Sequence, residues 1–86
     1  MRIKKNIAIS DSGFVFNPST GDSFSTNPIG LEIIKMLKEG KTRDEVKTWI
    51  LKTYTTEETA FEKDFYDFLL TLQSIKILEI DEEKKN

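Results

Sequence analysis

A chain of 86 residues makes one domain, close to the lower size at which a single apolar core holds a fold without cross-links. With no cysteine and no histidine, disulfides, thiol chemistry, histidine-based triads and most zinc sites are excluded. A net charge of −2, with 33% charged against 37% hydrophobic residues, builds in no general attraction to nucleic acid. No apolar run reaches transmembrane length, and Met1-Arg2-Ile3-Lys4-Lys5 leads into a strand pattern without a signal-type apolar segment. A soluble cytoplasmic protein with no membrane partner and no cofactor is the expectation.

Ile3, Ile7 and Ile9 share one parity, so the first segment reads as a half-buried strand. Asp11-Ser12-Gly13 signals a tight turn, and Phe14-Val15-Phe16 a second strand with both Phe side chains on one face. Asn17-Pro18-Ser19-Thr20-Gly21-Asp22 is a richer turn. Ser23-Phe24-Ser25-Thr26 follows as a third strand with one large apolar residue. These segments predict an N-terminal three-stranded antiparallel meander, too small to stand without a helical layer.

Asn27-Pro28 opens a first helix, Asn as N-cap and Pro where a missing N–H costs nothing. Ile29, Ile33, Met36 and Leu37 keep helical spacing, and Gly40 is the expected C′ residue. Thr42-Arg43-Asp44-Glu45 is a capping box for a second helix with Val46, Trp49, Ile50 and Tyr54 on one face. A third helix, with Thr56 as its expected N-cap, carries Phe61, Phe65, Phe68, Leu69 and Leu72 on one stripe. Ile75 to Ile80 reads either as a helix end or as a short strand; three Ile in six residues favour the strand. The final Asp81-Glu82-Glu83-Lys84-Lys85-Asn86 reads as a charged, frayed tail, leaving residues 1–80 as a single domain. The expected class is α+β, a sheet followed by three helices and a C-terminal strand, in the outline of a winged helix-turn-helix.

The chemistry-bearing motifs are weak. Gly40-Lys41-Thr42 has Lys35 where a phosphate-binding loop needs glycine, and no parallel strand precedes it. A DNA-reading third helix wants Arg, Lys, Asn or Gln outward; this one offers Glu57, Glu58, Glu62, Asp64 and Asp67 against Lys63. Asp64 and Asp67 read as the solvated edge of an amphipathic helix rather than a catalytic pair. The third strand is more informative. It ends a meander, and Asp22 to Thr26 contains neither Lys nor Pro to blunt its edge. Such an edge beside an apolar helix can accept an extended peptide as an extra strand, or pair with a second copy.

The run Gly21-Asp22-Ser23-Phe24-Ser25-Thr26-Asn27-Pro28-Ile29-Gly30, the later Glu39-Gly40-Lys41-Thr42-Arg43-Asp44-Glu45-Val46, and Asp64-Phe65-Tyr66-Asp67-Phe68-Leu69 with Ile77-Leu78 resemble the PqqD family. These are small proteins of pyrroloquinoline quinone synthesis, together with related precursor-recognition domains of ribosomal peptide modification. The resemblance implies three strands and three helices in a winged-helix-like arrangement, and no catalysis. It implies binding of a precursor's leader peptide as a strand added to the third β-strand, against the third helix. The bound peptide is then presented to a modifying enzyme, in the quinone pathway a radical S-adenosylmethionine protein. Carried onto this chain, the pairing strand is Ser23, Phe24, Ser25 and Thr26, and the groove wall is Phe61, Asp64, Phe65 and Phe68. Thr26 replaces the family's usual Leu, and Lys76 its usual Gly, so a relative serving another peptide pathway fits equally. The alternatives are a winged-helix DNA-binding regulator or dimerisation module, and a structural subunit that forms homodimers by strand pairing.

Overall fold

The computed structural model describes residues 1–79, and the expected tail at 81–86 lies outside the described residues. The elements are β1 (Arg2–Ile3), β2 (Ala8–Ile9), β3 (Phe14–Asn17), β4 (Asp22–Ser25), α1 (Pro28–Lys38), α2 (Arg43–Thr53), α3 (Glu58–Ser74) and β5 (Leu78–Glu79). The α+β class and the three helices are as expected, and the segment after α3 returns as a strand.

The first strand is a correction. It does not run unbroken from Ile3 to Ser10, and the three-stranded sheet is β2-β3-β4 rather than the extreme N-terminus. The chain turns over Lys4 to Ile7, where the Ile7 N–H reaches back to the Lys4 carbonyl. Lys4-Lys5-Asn6 has no apolar side chain to hold it against the core. The detached β1 pairs instead with β5, Ile3 opposite Leu78, and the Lys4 N–H extends the ladder to the Ile77 carbonyl at 2.9 Å. Ile3 and Ile7 are both buried, so the shared parity holds although the strand does not.

The meander is antiparallel throughout, with Ala8 opposite Phe16, Val15 opposite Phe24 and Asn17 opposite Asp22. Phe14 and Phe16 do share a face, and it is the outer one: they are 46% and 36% exposed while Val15 is fully buried. The alternation that puts Val15 inside forces both rings outward.

The helix ends follow their local chemistry. Asn27 Oδ1 accepts from the Gly30 N–H at 2.8 Å, and Pro28 occupies the first turn. At the other end Gly40 takes φ 95°, with Gly40 N–H on the Leu37 carbonyl and Lys41 N–H on the Met36 carbonyl. That pair is a Schellman stop, which the absence of a Cβ makes cheap. Thr42 and Glu45 form the reciprocal capping box at 3.1 and 2.8 Å. The third helix starts one residue later than expected. Glu57 is its N-cap, no side chain caps it, and Thr56 stands outside.

The same stop recurs after α3 without a glycine. Lys76 takes φ 65°, its N–H on the Gln73 carbonyl, while the Ile77 N–H bonds the Leu72 carbonyl. Lysine thus adopts the turn that glycine would make, at some steric cost. The core joins Ile3 and Ile7, Val15, Ile33, Ile34 and Leu37 of α1, Val46 and Ile50 of α2, the α3 stripe, and Ile77 and Leu78. Trp49, expected on the inner face of α2, is 39% exposed and meets Tyr54 edge-on at 6.2 Å.

Candidate functional site

In the β2-β3-β4 order, β4 has a partner on one side only, and among the described residues no strand covers the other. The ladder determines which of its main-chain groups face out. The Thr26 N–H bonds the Gly13 carbonyl at 2.8 Å, directly continuing the β3–β4 register. Antiparallel pairs alternate between bonded and non-bonded, so Phe24 with Val15 and Asp22 with Asn17 are the other bonded pairs. Ser23 and Ser25 therefore turn their N–H and C=O groups away from β3. Their hydroxyls lie on the outer sheet face with Phe14 and Phe16, and Phe24 leans onto the core.

Beside the C-terminal end of β4 lies a groove of about 420 Å³, walled by the start of α1 and by Phe61 to Phe68 of α3. Of the expected site residues, Ser25, Thr26, Phe61, Asp64, Phe65 and Phe68 line it, and Ser23 and Phe24 do not. Ser23 turns its main-chain groups outward from β3 on the same edge, whereas Phe24 packs against the core. Phe61 and Phe65 are buried and stack at 5.2 Å with planes 24° apart; Phe68 is half-buried and Asp64 exposed.

The groove also takes in Asn27, Ile29, Gly30, Ile33 and Thr56, which the sequence reading did not place there. Ile29 and Ile33, four apart on α1, read only as core. Gly30 carried a usable signal, since an isolated glycine within a helical pattern often marks a close approach. A Cβ at Gly30 would sit 2.0 Å from Thr26 Oγ1 and 3.3 Å from the Phe68 ring. Glycine thus lets the first turn of α1 close onto both Thr26, just after β4, and Phe68 of α3, where it lines the groove.

Charge is distributed unevenly on α3. Lys47 of α2 holds Glu58 at 2.8 Å and also pairs with Glu62, while Lys63 lies 3.8 Å from Asp67. The hydrogen bond to Glu58, then that to Glu62, raises the Lys47 pKa above the usual lysine value. A larger depression of about 860 Å³ near the α1–α2 turn includes Lys47 and Glu62, so part of its charge is already paired internally.

Comparison with curated proteins returned no match. Among solved structures, the chain is similar to TbiB1 in complex with the TbiA(beta) leader peptide. That match has 29% identity and a TM-score of 0.82, covering 92% of this chain and 95% of that one. It also superposes on a lasso peptide synthetase B1 complexed with the leader peptide, at 21% identity and a TM-score of 0.72 over 85% and 89% of the two chains, a likeness of fold. The family model for coenzyme PQQ synthesis protein D matches residues 13–78, a span that runs from the turn before β3 through all three helices into β5. Edge strand, groove and helices all fall within that one match, and this chain belongs to the PqqD family.

Proposed function

We propose that this chain is a non-catalytic adaptor that takes the leader of a ribosomally made precursor peptide as an added strand on β4 and presents it to a modifying enzyme. The observation that carries this reading is the β4 edge that no strand among the described residues covers, with the Ser23 and Ser25 main chain facing out, beside an apolar groove on α3. The similarity to TbiB1, solved with a leader peptide bound, supports extending that ligand class to this family member. The pathway is that of pyrroloquinoline quinone or another peptide modification, the enzyme a radical S-adenosylmethionine protein or its counterpart there, and the setting cytoplasmic. The helix order with β1 and β5 behind it supports a winged-helix-like description. The carboxylates on α3 argue against duplex DNA as the ligand, because they repel phosphate.

The test is calorimetry against the leader peptide of a precursor encoded beside this chain. Ser23→Ala and Ser25→Ala should be nearly silent, because their side chains do not make the bond. Ser23→Pro and Ser25→Pro each remove an outward N–H and obstruct an incoming strand. An unmade bond costs about 1–3 kcal/mol, so each should weaken binding about five- to a hundredfold with the far-UV spectrum kept. Both Pro variants folding and binding like the wild type would refute strand addition.

A further inference from the structure

The groove's chemistry constrains what the peptide carries. Ile29, Ile33, Phe61, Phe65 and Phe68 make its apolar walls, and Asp64 is the one charged side chain among its lining residues. The other carboxylates of α3 are engaged, Glu58 and Glu62 by Lys47 and Asp67 by Lys63. Among the described residues Asp64 has no ion pair, and it is the acid that faces the groove.

Spacing sharpens the point. Asp64 and Phe68 are one turn apart on α3, about 6 Å along the helix axis. Side chains at i and i+2 of an extended strand point the same way and lie about 6.7 Å apart. For a strand running along α3 the two intervals nearly coincide. Resting on the adaptor reading, we infer that the bound peptide carries a lysine or arginine whose cation meets Asp64, two positions from an aliphatic or aromatic residue seated against Phe68 and the Phe61–Phe65 stack. Asp64 is then a specificity-determining residue, selecting basic leaders and rejecting acidic ones. Because the carboxylate is exposed, the preference is modest and is screened by salt.

The probe is a panel of short labelled peptides with a strand-forming Ser/Thr/Val background and a central Leu-x-X or X-x-Leu triplet, where X is Lys, Arg, Gln or Glu. Fluorescence anisotropy reads affinity at low and high salt for the wild type, Asp64→Asn, Asp64→Lys and Ser25→Pro. The wild type should prefer Lys or Arg over Gln by about two- to fivefold, and Glu should be the weakest. Asp64→Asn should level the series, Asp64→Lys invert it, and Ser25→Pro weaken every member alike. Binding with no dependence on X, or a preference that survives in Asp64→Asn, overturns this inference and leaves strand addition standing. No binding by any member while the leader peptide binds the wild type overturns this inference alone, and a leader that does not bind either overturns both.

Discussion

Asn17 gives the sharpest test of how the site is held in place. Its side chain is 1% exposed, donating from Nδ2 to the Lys76 carbonyl at 3.0 Å and accepting the Ser19 N–H on Oδ1 at 3.0 Å. One amide thereby ties the β3–β4 turn to the turn that ends α3, and so holds the strand pair that carries the β4 edge against the helix whose earlier turns wall the groove. Asn17→Ala orphans both partners. Each unsatisfied group costs about 1–3 kcal/mol, and both bonds are only partly buried, so a loss of about 2–4 kcal/mol is expected. In a domain this small that lowers the Tm by about 10–25 °C. Asn17→Asp separates the two bonds, because it keeps the acceptor toward Ser19 and turns a carboxylate toward the Lys76 carbonyl. Burial and the facing carbonyl both favour the protonated form, so the introduced carboxyl has a higher pKa folded than unfolded. The stability it contributes is present below its unfolded pKa, about 3.9, and is lost as pH rises through the folded value. The deficit of Asn17→Asp against the wild type should therefore shrink between pH 7 and about pH 4, and that of Asn17→Ala should not. Circular-dichroism melts at the two pH values measure this. Asn17→Ala melting with the wild type at both would show that the latch contributes nothing.

Phe65→Ala removes a ring stacked within the buried stripe and should cost about 3–5 kcal/mol, read in the same melts; an unchanged Tm would remove the stripe from the core. Lys76→Gly relieves a left-handed residue of about 1–2 kcal/mol against a glycine entropy penalty of about 0.5–1 kcal/mol. It should raise stability slightly, whereas a clear fall would mean that the lysine side chain contributes something the backbone does not reveal. Duplex DNA should not shift at moderate salt, and a salt-dependent affinity tighter than about micromolar would favour a regulator over an adaptor.

The helices were legible because their signals are local. Asn27-Pro28, Gly40 and the Thr42–Glu45 box each complete their hydrogen bonds within a few residues, and the Phe61–Leu72 stripe needs only the helical period. What escaped is non-local. Nothing near Arg2 announces a partner at Glu79, and the Ile parity alone predicts one longer strand beginning there. Asn17, followed by proline, carries a turn signature that conceals its burial against a carbonyl from the far end of the chain. Lys76 lacks the glycine that marks a left-handed stop, yet makes that stop. Of the candidate groove, the aromatic wall follows from the helical period, and the β4 edge unpaired among the described residues follows from the order of the meander. The α1 contribution was not, because Ile29 and Ile33 look the same in sequence whether they line a groove or fill a core.

Hydrogen exchange at two amides tests the central claim most directly. The Ser23 and Ser25 N–H groups point away from β3 and should exchange readily in the protein alone, while the Phe24 N–H, bonded across to Val15, is already protected. With the leader peptide bound as an added strand, nuclear magnetic resonance should show exchange at Ser23 and Ser25 slowing on the order of tenfold or more, with Phe24 little changed. A saturated complex in which both serine amides exchange as they do in the protein alone would contradict strand addition at β4.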